Sequence, residues 1–145
     1  MRKSSAVTAL CLVLGTFSMY GSAFAHDMEM HGTSAADDLQ MKKLHTMMPM
    51  FSVASAKLET ALNKGESGAA ETEAQKIIAA IPDLKKSKPH KNVKQQDKFV
   101  ELASTLGKTV TATASLAKKG DFAGAKAAFK RVEETCAACH AKFRD

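Results

Sequence analysis

Residues 121–143 read DFAGAKAAFKRVEETCAACHAKF. Phe122, Ala125, Phe129, Val132, Cys136 and the pair Cys139/His140 recur at steps of three and four, the period of one helix face. Lys119-Gly120 precedes them as a helix stop, and Asp121 suits the cap of the helix that follows. The spacing predicts a helix from about Phe122 to Phe143. It turns two cysteines and a histidine toward whatever core the rest of the chain builds.

The remaining chain supplies three more helical patterns and no strand pattern. The first runs from about Asp37 to Asn63, with Met41, Leu44, Met48, Phe51, Leu58 and Leu62 on one face and small Ser55 completing the series. Pro49 is a defect in it, set either to kink the helix or to start its regular part. Lys64-Gly65-Glu66-Ser67-Gly68 reads as a stop and a turn. The second runs from about Ala69 to Ala80, with Ala70, Ala74, Ile77, Ile78 and Ile81 inward and Pro82 just past its end. Residues 83–92, DLKKSKPHKN, form a basic connection. The third runs from about Val93 to Lys118, with Phe99, Leu102, Leu106, Val110, Thr113 and Leu116 at bundle spacing. Abundant alanine agrees with helix propensity. Four helices joined by short turns and one longer middle connection make an all-α fold, an antiparallel up-down-up-down four-helix bundle.

The N-terminus carries an address. Arg2 and Lys3, an apolar run from Ala6 to Leu14, and Ala23-Phe24-Ala25 have the order of a secretory signal peptide cleaved after Ala25. The run is too short for a membrane span, and Cys11 lacks the neighbours of a lipid-anchor site. Residues 1–25 are therefore read as a signal peptide, 26–36 as a flexible lead-in and 37–145 as one domain exported to the periplasm. Loss of the two basic residues in the signal lowers the net charge from +6 to +4. Lys and Glu are interspersed, and no basic block with aromatics points to nucleic acid. The chain offers no nucleophile with a placed base, no paired carboxylates and no phosphate loop, so no enzyme activity is expected.

The group Cys136-Ala137-Ala138-Cys139-His140 is open to four chemistries. A redox dithiol calls for a βαβ setting and a helix N-terminus, which this all-helical chain does not offer. A zinc site needs four ligands, and there is no second cysteine pair. A disulfide this short closes almost no loop. Covalent haem fits best: each thiol adds to one vinyl group, and the histidine after the second cysteine lies under the iron.

CAACH followed by Lys142-Phe143-Arg144 on the last of four helices resembles the class II c-type cytochromes, the cytochrome c-prime family. The run Lys119-Gly120-Asp121-Phe122, then Phe129 and Cys136, is similar too. The resemblance implies one haem c between the helices, attached through Cys136 and Cys139, with His140 as proximal ligand and a first-helix residue on the distal face. In the family that distal position lies about four turns before the first Lys-Gly turn. Here the count falls on Met47-Met48-Pro49-Met50. Met48 is in phase with Leu44, Phe51 and Ser55 and is the favoured ligand; Met50, Met47 and His45 follow in that order. Methionine ligation suits one-electron transfer, whereas an open face suits NO or CO. Arg144 is a candidate partner for a haem propionate, and Phe143 for packing on the porphyrin or closing the bundle end. Lys85, Lys86, Lys88 and Lys91 form a basic patch suited to an acidic redox partner. His26-Asp27-Met28-Glu29-Met30-His31 has copper-binding residue types but reads as a solvated tail, and His90 as a surface loop residue. Family members are often dimers, and Ala69, Ala70 and Ala74 would allow a close helix contact between two copies.

Overall fold

Apolar side chains at three- and four-residue steps build helices over most of residues 35–144, the part of the chain that the computed structural model describes. The segment read as a signal peptide and the HDMEMH stretch lie outside the described residues. Helix α1 is Ala35–Lys64, α2 Ser67–Lys86, α3 Gln96–Lys118 and α4 Phe122–Phe143; a 3₁₀ turn, Val93–Gln95, leads into α3. No strand occurs among the described residues, and the packing is that of a four-helix bundle.

The turns follow from local chemistry. Gly65 and Gly120 sit at φ 73° and 78°, the left-handed region that glycine enters without steric cost, and each reverses the chain after a Lys-terminated helix. Asp121 accepts a 2.8 Å hydrogen bond from the Gly124 N–H, satisfying one of the donors that a helix start leaves over.

The end of α2 differs from the sequence reading. Helix α2 does not stop before Pro82 but continues to Lys86. Pro82 faces outward, so the Ile78 carbonyl that it leaves without an N–H partner is on the wet side of the helix. Ile81 and Leu84 on the opposite face are buried, and their burial favours carrying the helix on. Helix α1 likewise runs through Pro49, which is also exposed.

The bundle is graded along its length. A Cβ on Gly65 would stand 3.7 Å from the Phe122 ring, and Lys118 pairs with Glu71 at 3.1 Å. The end of α1, the start of α2, the end of α3 and the start of α4 therefore share one end. Buried there are Ala61, Ala70, Ala74, Ala114, Ala117 and Ala125, which let the helices approach closely. At the other end Lys43 bonds to Asp83 at 2.8 Å, and Phe99 meets Phe143 edge to face at 5.3 Å. That end is lined by large side chains, among them Leu44, Phe51, Leu84 and Phe129.

Leu58, 0% exposed, sits between these regions. Leu58→Ala is expected to cost about 2–5 kcal/mol through lost burial and the cavity left behind. Urea unfolding followed by circular dichroism checks this; a cost below about 1 kcal/mol would mean that the site collapses freely around the gap.

Candidate functional site

The wide end of the bundle encloses a cavity of about 840 Å³, within the roughly 300–1,000 Å³ of small-molecule and cofactor sites. Its walls are largely apolar and come from α1, the end of α2 and the loop after it, α3 and α4. Cys136 and Cys139, three apart on α4, lie one above the other on the cavity side, and both are half-buried. His140 also lines the cavity but is exposed, so the buried stripe of α4 runs instead through Val132, Thr135 and Phe143. Arg144 stands exposed at the rim, its N–H donating to the His140 carbonyl at 3.1 Å. Phe143 is buried against Phe99 and closes the bundle end.

On α1 the sequence reading holds at Leu44, Phe51, Leu58 and Leu62 and is one residue off at two positions, Met48 and Ser55. The buried stripe is Leu44, Met47, Phe51, Ala54 and Leu58. Met48 and Ser55 flank it, and they face the cavity rather than the interhelical core. Of the clustered methionines, Met47 belongs to the core, Met48 to the cavity wall, and Met50 is half-buried away from the cavity lining.

The loop after α2 is built rather than merely solvated. Ser87 and Pro89 are fully buried. The Gln96 side-chain amide donates to the Ser87 carbonyl at 3.1 Å, closing the end of α2. The Lys91 N–H donates to the Phe143 carbonyl at 3.2 Å, and Asn92, in a left-handed conformation at φ 55°, donates from Nδ2 to the Lys142 carbonyl at 2.7 Å. These bonds satisfy carbonyls that the last turn of α4 leaves over. They also carry His90 to the cavity, where its ring meets that of His45 with Nε2 atoms 3.2 Å apart. His90 is thus a cavity residue, not the surface loop histidine that the sequence suggested. Its signal lay in Lys88-Pro89-His90-Lys91-Asn92: a proline and an Asn on either side of a histidine are the residues of a fixed turn.

Burial pushes the Cys136 thiol up, with the Glu133 carboxylate adding to it. Burial, then the neighbouring Cys136, pushes Cys139 up to about 11. Burial, and next the Arg144 guanidinium, hold the His140 imidazole below its usual value. Near neutral pH the site therefore presents two thiols and an uncharged imidazole whose nitrogen lone pair can bind a metal.

A family model described as Cytochrome C' matches residues 82–144. Over that span the chain is similar to the cytochrome c-prime family. The match takes in the end of α2, the built loop, α3 and α4 with its CAACH group; α1 and Met48 lie outside it. Comparison with curated proteins and with solved structures gave no match. The family points to a haem-binding c-type cytochrome, and its members are typically periplasmic. No helix among the described residues is long and apolar enough to cross a membrane. The residues present fit haem c: a cavity of suitable size, apolar walls, two thiols on one wall and a neutral histidine directly after the second.

Proposed function

We propose that the protein is a periplasmic monohaem electron carrier, with Cys136 and Cys139 attaching the haem, His140 as proximal ligand and Met48 as distal ligand. The position of Met48 carries this reading: it alone of Met47, Met48 and Met50 lines the cavity that Cys136, Cys139 and His140 also line. When bound, haem would supply one-electron ferric–ferrous chemistry. The thioether of Met48 is soft and neutral and so favours the reduced metal. Buried Leu44, Phe51, Leu84 and Phe129 give that end apolar walls, which would limit the reorganisation that accompanies a change of charge. Arg144 at the rim suits a propionate. Lys86, Lys88 and Lys91, all exposed beside the cavity end, suit an acidic docking partner.

A close dimer contact through Ala70 and Ala74 has no support, since both are buried inside the bundle. Lone electron transfer without catalysis remains the reading for activity.

An optical spectrum of the exported protein, oxidised, reduced, and reduced under CO, tests the proposal. A sharp reduced α-band unchanged by CO is the expected result. A broad high-spin spectrum that CO shifts strongly would make Met48 a packing residue and the protein a binder of NO or CO.

A further inference from the structure

The facing imidazoles of His45 and His90 have a geometry that neither electron transfer nor haem attachment uses. His45 comes from α1 and His90 from the built loop after α2. Their ring planes lie 18° apart with centroids 5.1 Å apart, while the Nε2 atoms are 3.2 Å apart. The rings therefore converge on their Nε2 edges and diverge behind them. Two imidazole nitrogens each about 2.0–2.1 Å from one tetrahedral ion stand roughly 3.3 Å apart. The observed spacing is that of a chelating pair.

We propose that His45 and His90 form a binding site for a borderline divalent transition ion of the zinc class at the rim of the cavity. Imidazole is a favoured ligand for such ions, and the protein holds two imidazole nitrogens already at the chelating distance. In the absence of an ion the same two nitrogens share a hydrogen bond, so the pair needs little rearrangement to bind. No third His, Cys, Asp or Glu joins them among the described residues. Water completes the coordination, and the bound ion stays exchangeable. Binding cross-links α1 to the loop that also holds the end of α4, and so stabilises the cavity end by mass action.

The site stands independently of the haem reading, which the optical spectrum tests separately. Zn²⁺ is titrated calorimetrically into the exported, chelator-treated protein, and into His45→Ala, His90→Ala and a His26→Ala/His31→Ala tail variant. The expected result is one binding event in the parent and in the tail variant, lost in both ring variants, with a rise in melting temperature on zinc addition that both ring variants also lose. No binding in the parent, or undiminished binding in either ring variant, overturns the proposal. Electron paramagnetic resonance of the His26→Ala/His31→Ala variant with one equivalent of Cu²⁺ needs neither ring variant: coupling to two imidazole nitrogens supports the site, and no nitrogen coupling overturns it.

Discussion

Exchanging both Cys136 and Cys139 for serine is expected to give a protein whose colour does not survive denaturation. Thioether bonds persist when a chain unfolds, whereas haem held by packing and one imidazole is released. Haem staining after denaturing electrophoresis reads the difference: strong in the parent, present in each single serine variant through the remaining bond, and absent in the double variant. A stained double variant would remove these cysteines from the attachment site. The half-buried thiols also bear on timing. Burial holds both in the protonated form, Cys139 up to about 11, and the thiolate is the reactive species. A folded, colourless chain should therefore react poorly at this site.

The second large effect belongs to the methionines, because the structure separates two neighbours by role. Met48→Ala is expected to convert a low-spin, CO-insensitive spectrum into a high-spin one that binds CO, and to lower the reduction potential. Its effect on stability should be small, since Met48 is only half-buried. Met47→Ala should do the reverse. Met47 is 6% exposed, and its truncation is expected to cost about 2–5 kcal/mol with the spectrum unchanged. Spectra and urea midpoints of the two variants give a crossed comparison. A Met48→Ala protein that keeps the parent spectrum would exclude Met48 as ligand, and Met50 or His45 would be examined next.

That neighbours differ so sharply also explains what the sequence could convey. The limits of α3 and α4 were readable because Gly120 and Asp121 are unambiguous punctuation and Phe99, Leu106, Val110 and Phe129 keep phase. The stripe of α1 was harder. Leu44-Met48-Phe51-Ser55-Leu58 and Leu44-Met47-Phe51-Ala54-Leu58 are both alternations of three and four, and they share every large residue but one. Only the neighbours decide between them. The core takes Met47 and Ala54, and the cavity takes Met48 and Ser55. The periodic reading thus found the cavity wall while looking for the core. The end of α2 was misread because proline's cost was weighed without the burial of Ile81 and Leu84 beyond it. His90 was missed because its placement depends on bonds from the far end of the chain, Lys142 and Phe143, which local pattern does not reveal.

The grading from alanine to large side chains makes the two ends of the bundle unlike each other. At the narrow end Ala70, Ala74, Ala117 and Ala125 are fully buried within the chain's own packing. The wide end encloses space that its own side chains do not fill. Loosening there does not require the narrow end to part. One end is therefore filled by the chain itself, while the other leaves room whose size and apolar walls set what guest can be held there.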